Sequence, residues 1–222
     1  MKAMTQLKAA LTALAIGLTL PPAAHAQQKA ARVQFPAGLK WEMMRFASFM
    51  SGSQMKESAT AAEKKAALEI WKKELHAIPP NERYDRSKDD YPADVLISTY
   101  ENDKYKFVFS ILGALSFDYP ACEDAVNGPF PPGYDFDNAQ TYPVCPIRVV
   151  RMDKSSKQAQ QWVLPDYCFV YDDYSEKHPQ MRENHPLADN HTEIAIHNNM
   201  AYFRVIQGGK WVPACNRSIK LQ

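Results

Sequence analysis

The sequence predicts an α+β domain in which N-terminal helices pack on a curved antiparallel sheet of about six to eight strands, braced by disulfides. Three observations predict it. Apolar residues recur at helical spacing up to about residue 78, alternate at strand spacing from about residue 93, and four cysteines are spread over the later part.

The chain opens with MKAMTQLKAALTALAIGLTLPPAAHA. Lys2 and Lys8 stand before an apolar run from Ala9 to Leu20, followed by Pro21-Pro22 and the small-x-small ending Ala24-His25-Ala26. This is the three-part layout of a cleavable secretory signal over residues 1–26, with the cut expected after Ala26. The run is too short for the roughly 20 residues that span a bilayer, so no stable membrane insertion is expected after cleavage. Residues 27–222 then form one α+β domain, helical over 39–78 and sheet-forming over 93–215, with long loops at 118–146 and 172–192.

Residues 27–38 read as a polar lead-in. The segment LKWEMMRFASFM (39–50) predicts a helix, with Leu39, Met43, Phe46 and Met50 on one stripe and Gly52 ending it. A second helix is marked more sharply. Thr60 and Glu63 make a capping box, Ala67, Ile70, Trp71, Leu75 and Ile78 form an apolar stripe, and Pro79-Pro80 stops the helix. His76 at its end reads as a C-terminal helix charge or a partly buried side chain, not a ligand.

The period then changes. DVLISTY and YKFVFSILGALSF, joined by ENDK, predict a hairpin whose second strand is apolar on both faces, as a central strand under a helix is, with Gly113 as a bulge. IRVVRM, QQWVL and YCFVY continue the antiparallel pattern. EIAIH, MAYFRVI and KWVPAC close it, with turns at Asn198-Asn199 and Gly208-Gly209 and with Pro213 on an edge strand. In element order alone this resembles cystatin-like and NTF2-like domains, with no residues in common that would name a family.

Cys122, Cys145, Cys168 and Cys215 read as two disulfides in an exported chain. Three connectivities are open. Cys122 with Cys145 is favoured, because the Pro- and Gly-rich stretch between them cannot hold its own shape. Cys168 with Cys215 then ties an inner strand to the end of the chain. No C-x-x-C exists, which disfavours redox or zinc chemistry.

Removal of the signal leaves 24 basic side chains against 25 acidic ones, a net charge of about −1. That balance offers no electrostatic footprint for nucleic acid or anionic lipid. There is no G-x-S-x-G, H-E-x-x-H, Walker or Rossmann pattern, kinase or EF-hand signature, and no cofactor is expected apart from a metal ion in the reading below.

Three segments could carry chemistry. KHPQMRENHPLADNHTEIAIH (177–197) holds His178, His185, His191 and His197. If 191–197 is extended, His191, Glu193 and His197 share one face and make a generic zinc or iron ligand set, while Ile194 and Ile196 face the core. The same four histidines could instead titrate together as a pH sensor. The second segment is acidic, with Asp118, Glu123, Asp124, Asp135 and Asp137 offering calcium-type oxygens or paired carboxylates. The third is aromatic: Phe130, Tyr134, Phe136 and Tyr142, with Asp135 and Asp137 among them, make a constrained loop suited equally to an interface or to covering the loop's own small core.

The reading that follows is a periplasmic or secreted binding protein, leaning away from an enzyme, whose partner is another exported protein. An inhibitor or immunity-type protein blocking an exported enzyme or toxin fits it. The alternatives are a small-molecule or enzymatic pocket between the Thr60 helix and the sheet, and a metal-dependent site at His191, Glu193 and His197.

Overall fold

The computed structural model describes residues 33–53, 55–79, 83–114, 122–124, 143–172, 190–207 and 209–221. It corrects the predicted fold class. The described residues are mostly β, with two antiparallel six-stranded sheets and one α-helix, in place of N-terminal helices on a single curved sheet. The resemblance in element order to cystatin-like and NTF2-like domains lapses with it.

The first departure lies in 39–50. Glu42–Met43 (β1) and Arg45–Ser48 (β2) are strands, not a helix. A mostly apolar segment interrupted by Lys40, Glu42, Arg45 and Ser48 satisfies helical and extended spacing alike, and this one has no N-cap to decide for the helix. The burial shows which period won. Met44 and Phe46 are fully buried in one core and Ala47 and Phe49 in another, whereas Met43, on the expected helical stripe, is 52% exposed. The segment is also a corner. β1 pairs with the second sheet, the amide of Met44 donates to the Thr192 carbonyl at 2.9 Å, and β2 pairs with the first sheet.

The helix α1 (Ala61–Ala77) forms as predicted. Thr60 Oγ1 accepts from the Glu63 amide at 3.3 Å, and the Glu63 carboxylate accepts from the Thr60 amide at 2.9 Å. Because both bonds satisfy N–H groups that a helix start leaves open, Thr60→Ala is expected to cost about 1 kcal/mol. That should appear as a thermal midpoint lower by roughly 2–4 °C.

The predicted hairpin also forms, as β3 (Ala93–Glu101) and β4 (Tyr105–Ala114), with the Asn102 side chain accepting from the amides of Lys104 and Tyr105 in the turn. β4 lies between β3 and β6 (Pro143–Asp153), and β6 carries β7 (Ala159–Cys168) and the short β5 (Glu123–Asp124). β4 is central and apolar on both faces. Phe107, Phe109 and Ile111 face the space between the sheets, while Leu112 faces α1. Gly113 is no bulge, because it pairs in register with Asp94. It is a point of close approach: a Cβ there would lie 2.9 Å from the Phe169 ring.

The second sheet is built on β9 (Asn190–His197) and β10 (Met200–Gln207). β1 and β8 (Tyr171–Asp172) pair with β9, and β11 (Lys210–Trp211) and β12 (Arg217–Lys220) pair with β10. The loops expected at 118–146 and 172–192 are therefore each trimmed by strand at their ends. Pro213 is also corrected: it opens a 3-10 turn (Pro213–Cys215) where its missing N–H costs nothing, and the strand after it went unpredicted.

The layers follow from these registers. Between the sheets lie Phe46, Phe107, Phe109, Val149, Tyr167, Ile194 and Phe203, with the Phe203 ring edge-on to Tyr167 at 5.2 Å and to Phe109 at 5.9 Å. On the far face of the first sheet, Ala67, Trp71 and Leu75 of α1 meet Ala47, Val95, Ile97 and Leu112. Both disulfides join as favoured. Cys122–Cys145 closes a 23-residue separation and Cys168–Cys215 one of 47. The second is an inter-sheet staple, since Cys168 ends β7 of the first sheet and Cys215 lies between β11 and β12 of the second. Among the described residues β7 pairs only with β6, so it is an outer strand there, not the inner one expected.

Candidate functional site

The outward face of the second sheet gathers the side chains best placed to meet a partner. Asn198 and Asn199 take φ of 46° and 60°, the left-handed backbone that a tight two-residue hairpin requires, and so fix the register of β9 on β10. Directly opposed residues share a face. The pairs His191 with Ile206, Glu193 with Arg204, Ala195 with Tyr202 and His197 with Met200 therefore point outward. Ile194, Ala201 and Phe203 point into the core, and Ile196 packs against it, as the sequence pattern required.

The three proposed metal ligands do share that face, but only two of them meet. His191 Nε2 lies 3.3 Å from Glu193 Oε1. The other Glu193 oxygen takes a hydrogen bond from Arg204 Nε. His197 is exposed at the hairpin end, four residues and so roughly 13 Å further along the strand. Among the described residues no three His, Cys, Asp or Glu side chains converge as a metal site would need. His178 and His185 lie outside the described residues, as do Asp118 and the loop residues Phe130, Tyr134, Asp135, Phe136, Asp137 and Tyr142.

What surrounds Glu193 instead is aromatic. The Arg204 guanidinium sits 4.3 Å over the Trp41 ring, so one cation is shared between a carboxylate and a π face. Phe35 meets Trp41 edge-on at 4.9 Å, Tyr202 edge-on at 5.9 Å, and Trp211 in a stack at 5.7 Å. The lead-in from Val33 is thus laid across this face. Asn216 fastens both parts, its carbonyl accepting from Trp211 Nε1 at 2.8 Å and its amide donating to the Val33 carbonyl at 3.1 Å.

Met43, opposite Glu193 on β1, and Trp211, opposite Ile206 on β11, stand at the two margins of this cluster. They are 52% and 49% exposed. Trp211 is held by its stack on Phe35 and its bond to Asn216, and a large side chain so fixed loses little entropy when a partner covers it. The arrangement can offer an anchored aromatic contact surface with an internally neutralised charge pair at its centre.

Sequence reasoning missed Phe35, Trp41, Tyr202, Arg204 and Trp211. One signal was available. MAYFRVI, like YKFVFSILGALSF, carries large side chains at both parities, which marks a strand covered on both faces.

The comparisons with known proteins add no relative: no protein-family model, no curated protein and no solved structure matches this chain. The fold and the site define its class, a disulfide-stapled two-sheet β domain with one covering helix and an aromatic outer face.

Proposed function

We propose that this chain is an exported binding protein that holds another exported protein against the outer face of its second sheet. The observation that carries the reading is the pair of half-exposed anchors, Met43 and Trp211, flanking the fixed Trp41–Arg204–Glu193 cluster. A half-exposed tryptophan fixed beside packed aromatic rings and a partly buried charge pair is the kind of anchor that interface centres use, whereas singly exposed apolar residues are ordinary surface.

Export is supported by the three-part pattern of residues 1–26 and by the engagement of all four cysteines in disulfides. No helix among the described residues is long and apolar enough to cross a membrane. An inhibitor or immunity-type role is the narrower form of the same proposal, in which the partner is an exported enzyme or toxin. The 130–142 loop residues remain a second contact in it. A pocket between helix and sheet would have to open among Ala67, Trp71, Leu75, Val95 and Ile97, all at most 1% exposed.

The test is capture of a partner by the tagged, processed chain from the producing cell's periplasm and medium. Trp211→Ser should weaken the captured complex by roughly 2 kcal/mol, about thirtyfold in Kd, while Val163→Ser, at a position 49% exposed on the first sheet, leaves it unchanged. Equal capture by both variants would move the interface elsewhere. A chain mass beginning far from Gln27 would remove the export part.

A further inference from the structure

A short strap, Glu57–Ala59, closes the outer edge of β2. The amides of Ser58 and Ala59 both donate to the Phe46 carbonyl at 2.9 Å, and the Phe46 amide donates to Ser58 Oγ at 2.8 Å. The Ser48 amide donates to Glu57 Oε1 at 3.2 Å, and Lys64 of α1 holds the same oxygen at 2.7 Å. Directly opposite Ser48 in the β2–β3 ladder stands Asp94. It is 6% exposed, and among the described residues its Oδ1 has no hydrogen-bond partner.

An ionised carboxylate with an unpartnered oxygen in such a place is costly, and among the described residues no cation is paired with it to offset the cost. The groups that act on it come from each element packed around it: the Ser48 hydroxyl from β2, Glu57 from the strap and Lys64 from α1, while β4 presents only Gly113. We propose that Asp94 is a proton-controlled latch on the strap. Neutral, it leaves Glu57 seated on Ser48; ionised, it puts a second carboxylate beside Glu57, and the strap lifts so that Asp94 can hydrate.

Burial is the main cause that pushes the Asp94 carboxyl up to about 6, with the Glu57 charge adding and Ser48 and Lys64 opposing. The sign follows. The closed strap favours the protonated acid, so it is most stable below the ordinary aspartate value near 3.8, and that advantage is lost as the pH rises through about 6.

Amide hydrogen exchange on the full chain, corrected for intrinsic rates, tests the latch. Protection of the Ser48, Ser58 and Ala59 amides should fall about tenfold from pH 5 to pH 8, because an opened strap returns Asp94 to its ordinary titration. Val95 and Ile111 amides should not change, and Asp94→Asn should give a flat profile at the strap. A flat wild-type profile, or the same fall in Asp94→Asn, overturns the proposal. If Asp94→Asn does not fold, Glu57→Gln should shift the fall to lower pH, and an unmoved midpoint there contradicts the latch.

Discussion

Trp71→Ala should destabilise the domain by about 3–5 kcal/mol, the largest effect expected of any single side chain in it. Trp71 is 1% exposed at the centre of the α1 interface. Its truncation removes packing against Ala47, Val95, Ile97 and Leu112, but the cavity is only part of the loss. Trp71 Nε1 donates to Ser110 Oγ at 2.8 Å, and the Arg148 guanidinium lies 4.5 Å over the ring. Arg148 is itself buried, held by Glu74 at 2.6 Å and by the Ile70 carbonyl. Without the ring, a buried hydroxyl loses its partner and a buried cation loses its apolar cover. Trp71→Phe restores most of the volume but not the N–H, so it should recover most of the stability and leave a deficit of about 1–2 kcal/mol. Urea unfolding followed by far-UV circular dichroism measures both. A Trp71→Ala loss below about 1 kcal/mol would show that α1 is not fastened through this side chain.

The second large effect concerns the inter-sheet staple. Cys168→Ser/Cys215→Ser should cost about 4 kcal/mol on the loop-entropy model, against roughly 3 for Cys122→Ser/Cys145→Ser, because the closed loop is 47 residues and not 23. The structural setting sharpens the ranking. Cys168 and Cys215 sit in a small core with Val170, Val205 and Val212 that fills the corner between the sheets. The serines bring two hydroxyls into that corner, whereas Cys122, at the other bridge, is only partly buried. Unfolding of both double variants under non-reducing conditions gives the comparison directly. A greater loss from the Cys122–Cys145 pair would deny the staple its role in joining the sheets.

Local chemistry was legible wherever one signal had no competitor. The Thr60–Glu63 capping box, the Asn102 turn and the Asn198-Asn199 turn each name a backbone geometry that few residues can satisfy, and each is found. The disulfide pairing followed from a Pro- and Gly-rich loop that needs closure. Long-range assembly was not legible, for a physical reason. Residues 42–48 change sheets within a single corner at Met44, and nothing in a short, mostly apolar segment of mixed spacing distinguishes such a corner from a helix. A count of strands likewise does not say whether they form one sheet or two. That depends on which edges pair, and the decisive pairings, β1 with β9 and β8 with β9, involve two residues each.

The candidate site was half visible for the same reason. Period-two spacing put His191, Glu193 and His197 on one face correctly, but it could not show that the partner supplied to Glu193 is Arg204 from the next strand. Nor could it show that Phe35, from the polar-looking lead-in, and Trp41, from the segment read as a helix, lie across that strand. The shared face was real; among the described residues Glu193 is paired with Arg204 beside aromatic rings, and His197 stands apart from His191 and Glu193.

The claim that the chain works by binding through this outer face is tested most directly by photo-cross-linking in the producing cell. A photoreactive amino acid would be placed singly at position 43, 211 or 163. Positions 43 and 211 should each yield the same discrete adduct with one exported protein, and position 163, equally exposed on the opposite sheet, should yield none. Adducts at 163 and none at 43 and 211 would contradict the assignment of the contact surface.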